Sequence, residues 1–319
     1  MAQLENLDTI LSQLPDISLP EFDFLDSSFF RSRDGADTGC KLPSPQEALA
    51  ASGAQSGDKG VWRFPELGVL VKFGHPSKLR LEEALILRVI NQLLPITNQI
   101  PAPEVFGWKS THDHDPSRES NFIYMSLLPG LTLQAAWETL SHEDKTSVAQ
   151  QLAAMVKCLR SVERGPADQV IGSLSRGPVQ DLYFSPQFHK GPFTTAQEFH
   201  DFVQFISGPW MPVAERAPDP YRPPLPDTVP VLLSHADLYP GNILVVRSPD
   251  GSQISISGIV DWEQAGWYPA YWEYCKSMIV GRYDDEWKEQ GWVDIVFQPS
   301  ERDVEAYEAF EFYWASRCP

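Results

Sequence analysis

The sequence has few cysteines and no long hydrophobic run. The four cysteines show no Cys-x-x-Cys spacing, which argues against a zinc ribbon and against a disulfide framework. No stretch approaches the roughly 18 uninterrupted apolar residues of a membrane span, and the N-terminus lacks the basic start and apolar run of a signal peptide. We therefore expect free thiols in a soluble, cytoplasmic protein.

Basic residues are also in short supply. The sequence contains 25 Lys and Arg residues and 43 Asp and Glu residues, so its formal net charge is −18. Such a surface repels phosphate backbones and anionic bilayers, so nucleic acid and membranes are unfavourable partners. Cationic small molecules, or anions accompanied by Mg²⁺, remain compatible with it. The hydrophobic content of 42% predicts a packed core, and 319 residues predict one large domain or two lobes.

The first half of the chain alternates strand and helix patterns. Leucine and isoleucine at helical spacing near residues 4–14 predict a short amphipathic helix in an N-terminal extension. Residues 61–64 and 69–73 are β-rich and flank a Pro-Gly turn, which predicts a hairpin with Lys72 in its second strand. A helix is predicted over residues 78–94, with Glu83 on its apolar stripe. Residues 101–108 and 121–128 predict two more strands.

The second half is predicted to be helical before it returns to strands. Ser141 and Asp144 resemble a capping box at the start of a long helix. Residues 174–230 are rich in Pro, Gly and aromatics, which predicts loops around a short helix at 196–205. Residues 243–247 and 254–260 then predict a hairpin that ends at Asp261.

The strongest motif is a His-x-Asp-x-x-x-x-Asn loop at residues 235–242, followed after the predicted hairpin by Asp261. Phosphoryl transfer from ATP needs a carboxylate aimed at the attacking hydroxyl and ligands for Mg²⁺ on the phosphates. The loop supplies the carboxylate of Asp237 and one metal ligand, Asn242. Asp261 supplies a second ligand, because the intervening hairpin returns the chain.

Read with Lys72 and Glu83, these residues resemble the catalytic set of the protein-kinase-like fold. The pattern is more similar to the aminoglycoside phosphotransferase family, which includes choline kinases and in which Trp follows the second Asp. Residues 67–74, 101–108 and 261–274 look like a fungal branch of that family. The resemblance spans roughly residues 44–312, with five motifs in order.

The resemblance implies a role for each matching residue. Asp237 would be the catalytic base, and Asn242 and Asp261 would hold Mg²⁺. Lys72 would anchor the ATP phosphates, with Glu83 as its partner.

The resemblance also implies a site for the adenine ring. Residues 123–127 match the strand that enters the hinge. Met125 would lie near the gatekeeper position, and backbone groups of Ser126 and Leu127 would meet the adenine.

Three features depart from the family pattern. Ala236 stands where Gly commonly precedes the catalytic Asp, and Tyr239 stands where His is frequent. No Gly-rich phosphate loop is evident between Gly57 and Phe64. The residues that cover the phosphates are therefore unassigned by sequence.

Other polar and aromatic groups admit two interpretations. Residues 112–115 offer metal-type side chains, but a solvated loop tip is favoured. The aromatic residues between 262 and 272 fit a cation box or core packing, and core packing is favoured for most of them. His235 is interpreted as a brace of the loop, and Glu273 as a buried structural carboxylate. Acidic residues of the second lobe favour a cationic acceptor or form a solvated face; they are Asp181, Glu263, Asp284, Asp285 and Glu286.

The resulting expectation is an α+β, two-lobed protein-kinase-like fold. Residues 1–56 would form the extension, 57–128 a small antiparallel β lobe with one helix, and 129–319 a larger, mainly helical lobe. The expected enzyme uses ATP and Mg²⁺ to phosphorylate a hydroxyl of a small molecule: a cationic amine, an amino sugar or a metabolite alcohol.

Two other functions share parts of this motif pattern. The alternative is a catalytically silent pseudokinase that binds nucleotide or acts as a scaffold. A protein kinase is disfavoured because no Ala-Pro-Glu follows Asp261. The acceptor, the nucleotide preference and the oligomeric state stay open.

Overall fold

The computed structural model describes residues 7–32, 35–93, 99–163, 170–184, 190–207, 219–280 and 286–315. The chain divides into two compact units. The first unit comprises Met1–Gly130 and Ser257–Glu263, and the second comprises Leu131–Ile256 and Gln264–Pro319. Some residues named from the sequence lie outside the described residues; they are Leu4, Leu94, Asp284, Asp285 and Cys318.

Both units contain strands and helices. The strands are β1 (Glu21–Asp23), β2 (Gly60–Phe64), β3 (Val69–Gly74), β4 (Val105–Thr111), β5 (Ser120–Ser126), β6 (Leu131–Thr132), β7 (Gly172–Ser173), β8 (Val231–Ser234), β9 (Ile243–Arg247), β10 (Ile254–Ile259) and β11 (Gly266–Pro269). The helices are α1 (Leu7–Ser12), α2 (Pro45–Ser52), α3 (Glu82–Leu93), α4 (Leu133–Ala136), α5 (His142–Arg160), α6 (Ala196–Ile206), α7 (Trp272–Ile279), α8 (Glu286–Glu289), α9 (Trp292–Phe297) and α10 (Glu301–Ala315). The predicted α+β class is confirmed.

A five-stranded antiparallel sheet forms the frame of the first unit, in the order β1-β4-β5-β3-β2. The central strands β3 and β5 are almost entirely buried, as expected for apolar strands covered on both faces. The predicted β2–β3 hairpin is confirmed, and its turn ends at Gly68 with a φ of +63°. A left-handed residue closes such a turn most easily when it is Gly.

Strand β1 and helix α2 were not predicted from the sequence. Strand β1 has three residues and pairs with β4, so the N-terminal extension completes one edge of the sheet. Phe22 stacks on Trp108 with ring centroids 5.2 Å apart, and the Trp108 indole donates a hydrogen bond to the carbonyl of Leu19 at 3.0 Å. The extension is therefore part of the first unit's core rather than a separate tail.

Two elements of the first unit begin four residues later than predicted. Helix α3 begins at Glu82 rather than residue 78, because the Asn121 side chain donates to the Leu79 carbonyl at 2.9 Å and holds that peptide outside the helix. Strand β4 begins at Val105 rather than residue 101. Pro101 and Pro103 have no N–H for a sheet hydrogen bond, so the prolines delay the strand.

The second unit is mainly helical around two three-stranded sheets, β10-β9-β6 and β7-β11-β8. The predicted short helix corresponds to α6. The core of the second unit contains aromatic side chains from several segments, packed around the fully buried Trp272. No described helix combines the length and apolar composition needed to cross a bilayer.

The predicted capping box of α5 is confirmed. The Ser141 hydroxyl accepts the Asp144 N–H at 3.1 Å, and the Asp144 carboxylate accepts the Ser141 N–H at 3.1 Å. Two donors that the helix itself leaves unpaired are thereby satisfied.

We expect Ser141→Ala to destabilise the protein by about 1 kcal/mol, because it leaves the first turn of α5 without its cap. Thermal unfolding measured by circular dichroism should show a midpoint lowered by about 2 °C. Gln150→Ala, at an exposed position inside α5, is the control and should be neutral or slightly stabilising. Equal effects of the two substitutions would contradict the assigned cap.

Candidate active site

Lys72 lies in the middle of the first unit, on β3, and is 6% exposed. Its ammonium donates a hydrogen bond to Glu83 Oε2 at 2.8 Å and a second one to Asp261 Oδ1. The structure thus brings together a strand lysine, a helix carboxylate and the carboxylate that follows β10. Their roles in catalysis stay predictions.

Charge keeps this lysine protonated. Burial by itself lowers the pKa of Lys72, but the charges of three nearby carboxylates outweigh that effect and raise the pKa above its ordinary value. The carboxylates are those of Glu83, Asp261 and Glu263. The site therefore holds a permanent ammonium group.

Glu83 is fixed by its helix. It lies in the first turn of α3, on the face that packs into the core, and is 2% exposed. Burial raises the pKa of Glu83 to about 7, although Lys72 opposes this shift. The hydrogen bond to Lys72 at 2.8 Å compensates the buried carboxylate.

Asp261 adopts an unusual backbone conformation. Its φ is +63°, a region that Asp tolerates better than most residues. It stands between β10 and a short 3₁₀ turn, Trp262–Gln264, in which the Trp262 indole donates to the Ile259 carbonyl at 2.8 Å. The Asp261 side chain is 43% exposed, so a carboxylate in contact with Lys72 also faces solvent.

A second group of predicted residues meets within the second unit. Asn242 Nδ2 donates to Asp237 Oδ2 at 2.9 Å and to the Asp237 carbonyl at 2.9 Å. A 3₁₀ turn, Pro240–Asn242, brings Asn242 back to Asp237. Because the amide nitrogen is used in these bonds, Oδ1 is the atom of Asn242 that suits a cation.

His235 braces this loop, as the sequence predicted. It is 1% exposed, and its Nδ1 lies 3.2 Å from the Asp237 backbone nitrogen, which donates to it. Asp237 itself is only partly buried. The Asp237 carboxylate therefore reaches solvent, whereas the His235 imidazole is buried.

Glu273 has a more specific position than the sequence indicated. Its two carboxylate oxygens accept the backbone N–H groups of His235, at 2.5 Å, and Ala236, at 2.9 Å. Burial raises the pKa of Glu273 to about 7. The buried structural role is confirmed, but its partners were not predicted. In the sequence, the only sign of this role was that Glu273 is an acidic residue between the aromatic residues at the start of α7.

Ala236 adopts a backbone conformation that favours Gly. Its φ is +64°, and the residue is fully buried. A left-handed conformation costs a residue with a Cβ about 1–2 kcal/mol. The bonds from the His235 and Ala236 N–H groups to Glu273 hold this turn.

The predicted hinge segment has its amide groups already engaged. The Ser126 N–H donates to the Glu104 carbonyl at 2.8 Å, and the Leu127 N–H donates to the Gly68 carbonyl at 2.8 Å. Met125 is buried within β5. The two N–H groups of this segment are therefore bonded within the first unit, and the predicted adenine contact stays a prediction.

The loop at residues 112–115 is the polar turn that the sequence favoured. The Asp113 carboxylate accepts the Asp115 N–H at 3.0 Å, and the Asp115 carboxylate accepts the Ser117 N–H at 3.0 Å. Within the described residues, no group of three or more His, Cys, Asp and Glu side chains is arranged to hold a metal. The aromatic residues predicted as core are buried; they are Trp262, Trp267, Tyr268, Tyr271 and Trp272.

The acidic residues offered for a cationic acceptor are mostly committed elsewhere. Asp181 is fully buried and accepts from the Lys276 ammonium at 2.6 Å. Glu286 accepts from Lys145 at 2.9 Å, and Glu263 belongs to the first unit and is 9% exposed. The interpretation of Asp181 as a surface charge for a cation is wrong, because a buried ion pair neutralises it.

Comparisons with known proteins agree with the motifs. A family model described as the phosphotransferase enzyme family matches residues 63–312. A search of curated proteins found no match. The assignment to a family rests on the family model.

The fold comparison returned solved aminoglycoside phosphotransferases. APH(2'')-Ib bound to ADP is 16% identical, covering 78% of this chain and 77% of that chain, with a TM-score of 0.49. The gentamicin complex of APH(2")-IIa is 16% identical, covering 87% and 89%, with a TM-score of 0.48. APH(3'')-Id from Streptomyces rimosus ATCC10970 is 16% identical, covering 84% and 96%, with a TM-score of 0.46.

We expect Glu273→Gln to flatten the pH dependence of stability. The unfolded carboxyl ionises near its ordinary pKa of 4.5 and the folded one near 7, so this group contributes stability below pH 4.5 that is lost as the pH rises to 7. The free energy of unfolding should be measured with urea at pH 5 and at pH 7.5. The difference between variant and wild type should shift in favour of the variant at the higher pH.

The control for this pH experiment is Glu286→Gln. Lys145 and Trp137 hold the pKa of Glu286 below its ordinary value, so Glu286 is ionised at both pH values and its substitution should change stability equally at each. Parallel pH profiles for wild type and Glu273→Gln would contradict the prediction.

The left-handed turn at Ala236 predicts opposite outcomes for two substitutions. Ala236→Gly should change the free energy of unfolding by less than about 1 kcal/mol, because relief of strain offsets backbone entropy and a lost methyl group. Ala236→Val should destabilise strongly, because a β-branched residue is poorly tolerated at positive φ. Chemical denaturation measures both values, and a tolerated Val would refute the turn.

Proposed function

The chain belongs to the phosphotransferase enzyme family, and we propose that it transfers the γ-phosphate of ATP to a hydroxyl group of a small molecule in the presence of Mg²⁺. The buried ammonium of Lys72, bonded to Glu83 and Asp261, carries this proposal. A buried ion pair is weak evidence for stability, since apolar residues of similar volume often serve as well. A permanent positive charge beside a partly exposed carboxylate suits phosphate binding.

Lys72 is proposed to hold the phosphates of the nucleotide. An ammonium group is a compact charge with three donors, and Glu83 takes one of them at 2.8 Å. Asp261 takes another and leads toward solvent. A phosphate oxygen would exchange with Asp261 for the Lys72 ammonium, while Glu83 keeps the side chain in place.

The donor chemistry of two predicted ligands fits Mg²⁺, which prefers oxygen ligands. Asn242 presents its side-chain oxygen because its amide nitrogen is bonded to Asp237. Asp261 presents a carboxylate that is 43% exposed. Bound Mg²⁺ would neutralise the charge of the β- and γ-phosphates.

Asp237 is proposed to act as the base. Its carboxylate accepts the proton of the acceptor hydroxyl as the oxygen attacks the γ-phosphorus, and the bond to the bridging oxygen breaks to release ADP. Asn242 orients this carboxylate through the bond at 2.9 Å. His235 and Glu273 hold the backbone on the other side of Asp237.

The acceptor class is the least defined part of the proposal. A cationic amine, an amino sugar and a metabolite alcohol are all retained as acceptors to be tested. Since Asp181 and Glu286 are paired with lysines, a cationic acceptor no longer has special support from them. The choice among the three classes therefore falls to the assay.

We expect the purified protein to release ADP from Mg²⁺-ATP only in the presence of one acceptor class from a panel of amines, amino sugars and polyols. Asp237→Asn should lower kcat by about 10²–10⁴-fold and retain Mg²⁺-ATP binding, measured as a thermal shift. Asp250→Asn, in the β9–β10 turn, is the matched control and should keep full activity.

Lys72→Met completes this experiment, because it should abolish the thermal shift by removing the phosphate anchor. Full turnover by Asp237→Asn would contradict the proposed base. No ADP release together with no thermal shift by Mg²⁺-ATP would favour the pseudokinase over the enzyme, whereas a thermal shift without release would mean that the panel lacks the acceptor.

A further inference from the structure

The edge of the first unit's sheet that is formed by β2 differs from the opposite edge. Strand β2 is an end of the five-stranded sheet, and the N-terminal strand β1 pairs at the opposite end. Within the described residues, β2 therefore has β3 as its only strand partner. Residues 53–59 lead directly into β2 and contain no strand of their own.

This lead-in segment is held in a defined conformation. The Gly57 N–H donates to the Ser120 hydroxyl at 2.8 Å. Gly57 has a φ of +90°, and a Cβ there would lie 2.3 Å from the Ser117 carbonyl oxygen. Only Gly allows so close an approach. The Gln55 N–H donates to Asp58 at 2.8 Å, which closes the turn just before Lys59.

The register of the hairpin places Lys59 near the phosphate anchor. Gly60 pairs with Phe73, and Val61 pairs with Lys72. Lys59 therefore continues the strand beside the end of β3 that carries Lys72. The Lys59 Cα lies 3.5 Å from the position of a Cβ built on Gly74. Lys59 and Lys72 thus lie on adjacent segments, two positions apart in the register.

A third cation joins them around the segment that carries Asp261. Arg80 Nη2 donates to the Glu263 carbonyl at 3.3 Å. Lys59 Nζ lies 4.0 Å from Glu263 Oε1, and its side chain is 46% exposed. Three cations and the three carboxylates of Glu83, Asp261 and Glu263 therefore lie in one region of the first unit.

The cations differ in how tightly they are held. Lys72 is buried between two carboxylates. The Lys59 side chain is 46% exposed, and its Nζ lies 4.0 Å from the buried Glu263 carboxylate, at the outer limit of an ion pair. The Lys59 side chain is therefore open to solvent, where another anion can approach it.

We infer that Lys59 binds the phosphates of the nucleotide and, with the rigid turn at residues 55–58, takes the place of the missing Gly-rich loop. This inference rests on the proposed function, since it names a second phosphate-binding group of the same site. The ammonium of Lys59 would exchange Glu263 for a phosphate oxygen and cover the phosphates from the free edge of β2. A charge-assisted bond of this kind is stronger than a bond between neutral groups.

The experiment measures the affinity of the full chain for Mg²⁺-ATP and for adenosine, by competition with a fluorescent ATP analogue. Lys59→Gln should raise the Kd for ATP about tenfold, the usual effect of one lost bond to a charged group. The Kd for adenosine, which has no phosphate, should stay unchanged. Lys59→Arg keeps the charge and should bind ATP nearly as wild type does.

The matched control is Lys41→Gln, which removes the same charge from an exposed position of the first unit that has no place in the site. If Lys59→Gln weakens ATP no more than Lys41→Gln does, Lys59 is only a solvated partner of Glu263, and the inference is overturned while the proposed function stands. Equal losses for ATP and adenosine would also overturn it. Failure of the wild-type protein to bind Mg²⁺-ATP would overturn both.

Discussion

A buried ammonium group is the constraint on which the first unit depends. Removing a charge from water costs several kcal/mol even after relaxation, and Lys72 is 6% exposed. The cost is compensated only if carboxylates from separate parts of the chain reach the same point. Glu83 comes from α3 and Asp261 from the end of β10. The sheet, the helix and the returning segment must therefore be in place together before Lys72 is tolerated.

In the second unit, the main constraint is to hold the partly exposed Asp237 carboxylate in one orientation. Backbone N–H groups that are buried need acceptors, and Glu273 supplies both oxygens to the turn before Asp237. Asn242 supplies the donor on the other side. Both units also contain a strained residue at the critical position, Ala236 and Asp261, each with positive φ. Strain of this kind costs about 1–3 kcal/mol and persists where the surroundings determine the conformation.

Local signals predicted those elements that depend on neighbours in sequence. The β2–β3 hairpin, the capping box at Ser141 and the order of the motifs were all recognised, because turn residues and caps act within a few positions. Elements that depend on distant partners were missed. Strand β1 has three residues and exists because β4 offers it an edge. Asp181 is buried against Lys276, which is 95 positions away in the sequence. This contradicts the interpretation of Asp181 as a surface charge.

The sequence by itself determined the family, the α+β class and the residues proposed for phosphoryl transfer, because these depend on residue types and their spacing. Only the tertiary structure decided which groups are engaged and which still face solvent. It showed that Glu273 holds the turn at His235, and that the amides of Ser126 and Leu127 are already bonded. It also placed Lys59 beside the end of β3. The physical reason is that hydrogen bonds, burial and charge pairing join residues far apart in the chain, and no local pattern encodes them.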